Sequence, residues 1–289
     1  MNVLSLFDGL SGGQLALSQL GIKVDSYFAS EIDEYAMKIA KKNFPKTMHV
    51  GDVTKLNYSQ KYKTLVGEDG YTKTDIDLLI GGSPCQSFSR RGDGTGFDGS
   101  SKLFFEYVRL LKEIKPKFFM LENVVMKKEW QDIITEELGV YPIEINSRDF
   151  SAQNRPRLYW TNIPLSLYHE KNTDHVLETI MGDTNWVEPP VWVHGKFGDK
   201  TRLEKMKGLL DKASCVTATS YKGQISSFCK SSDDGKVHRY TPEQFEALQT
   251  LPRGYTEGVS NTQRYKMIGN GWTNEVIKHI FKNLTKIYK

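Results

Sequence analysis

A single cysteine stands at the end of an apolar run in the first third of the chain. The segment 77–89 reads DLLIGGSPCQSFS, so Cys85 follows Pro84 directly after a predicted buried strand. Strand ends of open α/β sheets carry ligands and catalytic groups. The thiol of Cys85 is therefore either a packed small hydrophobic group or a nucleophile, and the local sequence leaves both interpretations open.

A glycine-containing segment, residues 7–13, follows the first predicted strand and opens a helix. Glycines let the backbone approach a ligand closely, and a helix N-terminus favours a negative group. The spacing G-x-x-G-G differs from the G-x-G-x-x-G of dinucleotide-binding proteins, which argues against an NAD-dependent enzyme.

An acidic residue stands at the end of each of the next two predicted strands. Glu31 ends the second predicted strand and Asp52 ends the third. Such acids can accept hydrogen bonds from ribose hydroxyls and from an adenine amino group. Each alone could equally be a solvated loop residue or a helix cap. Together, behind one glycine-containing loop, they predict a cofactor that contains adenosine.

The elements that must position these residues alternate in the first half of the chain. Short apolar runs and amphipathic stretches follow one another, which is typical of a parallel sheet with covering helices. The pattern predicts strands at 2–7, 26–30, 47–50, 77–80, 118–121, 141–146 and 157–161. It predicts helices at 13–20, 34–43, 102–114, 130–137 and 273–284, with a further helix that begins at Thr241 and Pro242.

The pattern changes in the second half. Residues 165–237 are rich in glycine, serine, aspartate and lysine and contain only short apolar runs. We therefore predict a catalytic and cofactor-binding domain at 1–164, a small loop-rich lobe at 165–237, and a return to the first domain at 238–289.

The overall composition is that of an ordinary globular protein: 289 residues, 38% hydrophobic and 26% charged, with a net charge of +4. No apolar run reaches the roughly 18 residues of a membrane helix, and no signal peptide is apparent. The three cysteines form no C-x-x-C pair, which disfavours disulfide frameworks and bound metal and favours a cytoplasmic location.

The chain resembles the DNA (cytosine-5) methyltransferases. The matching motifs occur in the order of that family and span nearly the whole chain: FDGLSGG, Glu31, GDV, GGSPCQSFS, ENV, QNRPR, TP with LQTLP, and IGNGW. Asp8 replaces the alanine of most bacterial members, and Ser83 replaces a phenylalanine or proline. These two residues and Trp272 make the chain look more like the de novo methyltransferases of animals.

The resemblance implies a mostly parallel, Rossmann-like sheet and a reaction at C5 of cytosine. Cys85 would add to C6 as a thiolate, and a protonated Glu122, placed where an apolar strand ends, would hydrogen-bond N3. Arg157 would bind the O2 atom of the base, and Arg155 would brace the site. Read alone, Glu122 could be a helix-start carboxylate, and the two arginines a phosphate clamp or a structural ion pair.

The resemblance also implies the cofactor and its contacts. The cofactor would be S-adenosylmethionine, without a metal. Its predicted contacts lie in the first loop, the two acid-bearing segments, the cysteine motif and the C-terminal motif: Phe7, Asp8, Gly9, Leu10, Ser11, Gly12, Glu31, Ile32, Asp52, Val53, Pro84, Asn270, Gly271 and Trp272.

Double-stranded DNA is the implied partner, with the target cytosine flipped out of the helix. The loop-rich lobe matches the variable target-recognition region, and the glycine-rich segment 87–101 is predicted to close over the base. Predicted DNA contacts are Gln86, Ser89, Arg90, Arg91 and Lys222. A cognate restriction endonuclease is an open possibility.

Two alternatives remain at this point. The first is an RNA cytosine methyltransferase of the same superfamily, because a tRNA-modifying branch shares the P-C-Q, E-N-V and Q-x-R-x-R motifs. That branch's Cys-Phe-Thr is absent here. The second is an inactive regulatory homologue, against which the joint presence of Cys85, Glu122 and Arg157 argues.

Overall fold

The computed structural model describes residues 1–84, 96–166, 212–230 and 237–288, with short pieces at 180, 196–197, 200–201 and 207–208. The chain forms two compact units. The first comprises Met1–Ile145, Pro156–Leu167 and Ile277–Lys289, and the second comprises Asn146–Arg155 and Tyr168–Val276. No helix in the described part of the chain has the length and apolarity needed to cross a membrane.

A seven-stranded sheet forms the centre of the first unit. Its strands are β1 Asn2–Leu6, β2 Ser26–Ser30, β3 Met48–His49, β7 Leu78–Gly82, β8 Phe118–Val124, β9 Ile143–Asn146 and β10 Pro156–Thr161. They lie in the order β3-β2-β1-β7-β8-β10-β9. The pairs β1–β2, β2–β3, β1–β7 and β7–β8 are parallel, and β10 runs antiparallel to β8. The predicted α/β class with a mostly parallel sheet is confirmed.

Four helices follow strands of this sheet: α1 Gly12–Gln19, α2 Glu34–Asn43, α3 Phe104–Ile114 and α4 Lys128–Leu138. Helix α3 shows why periodicity predicted them. Its buried residues Phe104, Tyr107, Leu110 and Ile114 recur at helical spacing and join the buried strand side chains in one apolar core.

A small antiparallel sheet in the first unit was not predicted. It consists of β4 Asn57–Ser59, β5 Thr64–Gly67 and β6 Gly70–Lys73. Every residue of β6 is exposed, so this strand has no alternating apolar pattern. Only Tyr58 and Leu65 from these three strands enter the core.

The second unit contains α5 Pro242–Leu248 and α6 Asn261–Asn270. The helix predicted to begin at Thr241 and Pro242 is confirmed, and Thr241 and Gln244 form a capping box at its start. Helix α6 was missed because its apolar positions are few, although Ser260 caps it by accepting a hydrogen bond from the Gln263 amide. The other strands are short: β11 Lys196–Phe197, β12 Lys200–Thr201, β13 Lys207–Gly208, β14 Phe228–Lys230 and β15 Val237–Arg239.

The C-terminal helix α7 covers Asn274–Phe281 and is followed by a 3₁₀ helix over Lys282–Lys286, so the predicted helix at 273–284 is shorter than expected. The second unit extends beyond the predicted recognition lobe on both sides. The functional division at residues 164 and 237 stays a prediction.

Candidate active site

The described chain leads up to the predicted nucleophile. Cys85, Gln86, Ser89, Arg90 and Arg91 lie outside the described residues, as does most of the segment 87–101. The two residues after β7 are described, and Asn123 Nδ2 donates to Ser83 Oγ at 3.0 Å. Gly82, the last residue of β7, lies in register with Glu122 on β8. The chain therefore enters the cysteine motif beside Glu122.

The sequence predicts that Glu122 lies where a strand ends. This is wrong, because β8 continues to Val124 and Glu122 lies within it. The antiparallel partner β10 supplies the hydrogen bonds for these last residues, with Tyr159 opposite Glu122 and Arg157 opposite Val124. Glu122 and Arg157 are thus diagonal neighbours on one face of the sheet.

The structure brings these two side chains into an ion pair. Arg157 Nε lies 3.0 Å from Glu122 Oε1, and both side chains are largely buried. Arg157 also donates to the Pro156 carbonyl at 2.8 Å, which fixes the guanidinium close to its own strand. A largely buried carboxylate beside a guanidinium can recognise the polar edge of a small planar ligand.

Arg155 belongs to the second unit and has a different environment. Its buried guanidinium donates to three carbonyls: Val216 at 2.8 Å, Gly269 at 3.2 Å and Gly271 at 2.9 Å. These contacts hold the segment at the end of α6, and the bracing role of Arg155 in the active site stays a prediction.

Three of the predicted cofactor residues lie at the end of α6: Asn270 is its last residue, and Gly271 and Trp272 follow. The Gly271 carbonyl accepts from Gln249 Nε2 at 3.0 Å as well as from Arg155. Gln153, fully buried, donates to the Leu248 carbonyl and accepts from the Val216 amide. The supporting role of Gln249 could not be predicted, because the carbonyls to which its Nε2 donates, those of Ile268 and Gly271, are distant in sequence.

The loop after β1 has an unusual backbone. Phe7, Gly9 and Ser11 all have positive φ values, of 57°, 57° and 61°. Buried Asp8 holds this loop, since its carboxylate accepts hydrogen bonds from the hydroxyls of Ser11 and of Tyr27, the latter at 2.8 Å. Burial raises the pKa of Asp8 to about 6, although both hydrogen bonds oppose the shift.

Glu31 connects the loop after β1 to the loop after β2. One carboxylate oxygen accepts from the Gly9 amide at 2.7 Å, and the other accepts from the amides of Ile32 and Asp33 at 2.8 and 2.9 Å. The side chain of Ile32 is 72% exposed. This loop therefore presents a fixed carboxylate next to an exposed apolar surface.

Asp52 does not end the third strand, because β3 stops at His49. Asp52 instead caps a 3₁₀ helix over Val53–Lys55, and its Oδ1 accepts from the Thr54 amide at 2.9 Å. The cap was one of the open interpretations for this acid. Ser30, next to Glu31, donates to the Gly51 carbonyl at 2.8 Å. The two acid-bearing segments are therefore neighbours.

Lys222 is exposed in a 3₁₀ helix over Ser220–Lys222, and its Nζ lies 5.8 Å from the centre of the Tyr221 ring. Arg239 donates to the Tyr221 carbonyl at 2.9 Å and supports this turn. The placement leaves Lys222 available to solvent, and its role in DNA binding stays a prediction.

Comparisons with known proteins cover nearly the whole chain. The family model described as C-5 cytosine-specific DNA methylase matches residues 1–181 and 201–286. The Type II methyltransferase M1.ScrFI of Lactococcus lactis subsp. cremoris is 31% identical over an alignment 318 positions long, which covers 99% of this chain and 78% of that protein. The Type II methyltransferase M.HhaI of Haemophilus parahaemolyticus is 26% identical, with 98% and 94% covered.

A solved structure agrees on the fold. The methyltransferase EhMeth of Entamoeba histolytica matches with a TM-score of 0.75 at 19% identity, and the match covers 100% of this chain and 99% of that one. At this level of identity the match concerns the arrangement of helices and strands. The central sheet described above is therefore shared with a methyltransferase.

Proposed function

Because the chain belongs to the C-5 cytosine-specific DNA methylase family, we propose that it methylates a cytosine flipped out of double-stranded DNA through a covalent Cys85–C6 intermediate. Membership makes it an S-adenosylmethionine-dependent DNA (cytosine-5-)-methyltransferase. The observation that carries the proposed mechanism is the Glu122–Arg157 pair, located beside the strand that leads to Cys85.

The residues of the segments that follow β1, β2 and β3 fit the cofactor. When bound, S-adenosylmethionine supplies an electrophilic methyl group. The carboxylates of Glu31 and Asp52 can accept hydrogen bonds from its hydroxyl and amino groups, and the exposed Ile32 can cover an apolar ring face. The N-terminus of α1, after Ser11, favours a carboxylate.

Replacing Glu31 with alanine should weaken S-adenosylmethionine binding by about 1–3 kcal/mol, because polar partners in the site lose their acceptor. The same change releases the Gly9 amide from its bond at 2.7 Å. Titration calorimetry measures the effect. Glu34→Ala, the same change at an exposed position of the following helix, is the matched control. Unchanged affinity in Glu31→Ala would remove this residue from the site.

The base-modifying steps are assigned to three side chains. The Cys85 thiolate forms a bond to C6. Glu122, after its carboxylate has taken up a proton from solvent, donates that proton to N3 as negative charge develops on the ring. Arg157 donates to O2 and, through its ion pair, orients Glu122. C5 then has enamine character and can attack the methyl group. The methyl transfer leaves S-adenosylhomocysteine. A water molecule can then remove the C5 proton, the Cys85–C6 bond breaks to release the thiolate, and N3 returns its proton to Glu122.

The substrate is tested with tritiated S-adenosylmethionine and purified double-stranded DNA or tRNA. We expect label in DNA only, with binding that weakens steeply as salt rises. Bisulfite sequencing of plasmid DNA from expressing cells should show a short target of about two to four base pairs, since a small lobe places few side chains at base edges. Methylation confined to tRNA would contradict the DNA assignment, and label in neither would indicate an inactive homologue.

A further inference from the structure

The turn between β5 and β6 packs against the segment that follows β3. The Glu68 amide donates to the Val50 carbonyl at 3.4 Å. A Cβ atom on Gly67 would lie only 2.7 Å from the same carbonyl oxygen, so residue 67 must lack a side chain for this approach. Tyr58 and Leu65 anchor the small sheet in the core. The turn is therefore held at a fixed place beside the Asp52 segment.

The carboxylate of Glu68 makes the most specific contacts of this turn. Its Oε2 accepts from the Asp52 amide at 3.0 Å, and its Oε1 binds Lys55 Nζ at 2.5 Å. The carboxylate also occupies the space beside Gly51, where φ is +80° and a Cβ atom would lie 2.1 Å from Oε2. Since the side chain is 38% exposed, it contributes these directed contacts rather than core packing.

The opposite end of the same short helix is also bound. Arg109 on α3 donates through Nη2 to the carbonyls of Val53 at 3.3 Å and of Leu56 at 2.8 Å. Ion pairs with Glu106 and Glu113, at 2.8 and 2.9 Å, hold the guanidinium. Glu68 thus binds the amide end of the 3₁₀ helix Val53–Lys55, and Arg109 binds its carbonyl end.

The segment needs this support because its own strand is short. Strand β3 has two residues, and beyond it the Val50 amide and the Gly51 carbonyl are bonded to Ala29 and Ser30. We propose that Glu68 is a positioning residue that holds Gly51, Asp52 and Val53 in the conformation that binds the adenosine part of the cofactor. This inference rests on the function proposed above for Asp52.

The test is the affinity for S-adenosylmethionine, measured by titration calorimetry on the full chain. Glu68→Ala removes the acceptor of the Asp52 amide, and we expect the dissociation constant to rise about three- to tenfold. Because the Glu68 carboxylate contacts the Asp52 amide and Lys55, and none of the side chains assigned to the base-modifying steps, kcat at saturating cofactor should stay unchanged while KM for the cofactor rises. Glu68→Gln keeps an oxygen acceptor and should restore most of the affinity.

Two further variants separate positioning from general effects. Asp69→Ala makes the same charge change at the next, exposed residue of the turn and should leave the affinity unchanged. In a double-mutant cycle, Asp52→Ala and Glu68→Ala should be less than additive, since Glu68 acts through the Asp52 segment. Fully additive effects, or a Glu68→Ala protein with wild-type affinity, would overturn this inference and leave the proposed function unaffected. A wild-type protein that does not bind the cofactor would overturn the proposed function with it.

Discussion

Replacing Cys85 with serine should reduce DNA methylation by about 10³-fold or more while leaving the affinity for S-adenosylmethionine nearly unchanged. The physical reason is the difference in nucleophilicity between a thiolate and a hydroxyl. A thiolate is accessible near neutral pH and can add to C6, whereas a serine hydroxyl stays protonated and is a far weaker nucleophile. The cofactor contacts proposed here lie mainly at the ends of other strands, so they should survive the substitution. Single-turnover transfer of tritium to DNA measures the first effect, and calorimetry the second.

The other two cysteines serve as controls. Cys229 is buried, and desolvation raises the pKa of its thiol to about 12, which excludes a thiolate near neutral pH. Cys215 is half-buried, and its sulfur lies 3.4 Å from Arg155 Nη1, so it is the alternative thiol for the reaction. We expect Cys215→Ser to keep most of the activity.

The proposed covalent bond between Cys85 and C6 of the target cytosine can be trapped. DNA with 5-fluorocytosine at the target should form a stable adduct with the wild type and with Cys215→Ser, because fluorine at C5 cannot leave as a proton. The Cys85→Ser protein should form none. An adduct that persists in Cys85→Ser and disappears in Cys215→Ser would show that Cys215, and not Cys85, is the nucleophile. The absence of an adduct with an active enzyme would contradict covalent catalysis.

The parts of the fold that were predicted correctly share one property, a local pattern strong enough to fix the element. The strands at Asn2–Leu6 and Ser26–Ser30 each have three apolar residues and bury their last four residues in succession, as in a sheet covered on both faces. Helix α6 and the β4–β6 sheet were missed for the opposite reason. Each offers few apolar residues at regular spacing, and partners elsewhere in the fold stabilise it.

The candidate site divides in the same way. The motifs identified Glu122 and Arg157, but the strand boundary at Glu122 was wrong because β8 is extended by pairing with β10, a contact between distant segments. The supporting residues Glu68, Arg109 and Gln249 were not found, since they bind backbone amides and carbonyls whose positions only the folded chain defines. Local sequence carries the chemistry of a side chain but not the location of its backbone partners.

Gly269 shows what such a non-local constraint demands. The IGNGW motif indicated a cofactor-binding return, and the structure places Gly269 inside α6, against the backbone of the segment before the Ser220–Lys222 turn. A Cβ atom there would lie 2.1 Å from the carbonyl carbon of Thr217, 2.3 Å from its oxygen and 2.4 Å from the Ala218 nitrogen. All three are backbone atoms, so no side-chain rotation can relieve the overlap. The Gly269 carbonyl also accepts from Arg155, which limits movement of the helix.

Gly269→Ala should therefore lower the free energy of unfolding by about 3 kcal/mol or more, at the upper end of the cost of overpacking. Urea denaturation of the full chain measures it. Gly139→Ala is the matched control: Gly139 caps α4 with a φ of +69°, and a Cβ atom at this position would have no neighbour within 4 Å, so the change should cost only about 1–2 kcal/mol from the backbone conformation. If Gly269→Ala lost no more stability than Gly139→Ala, α6 would be free to move away from Thr217, and the close approach would not be what requires glycine. A larger loss in Gly269→Ala would assign the glycine of this motif to packing between backbones, independently of any contact with the cofactor.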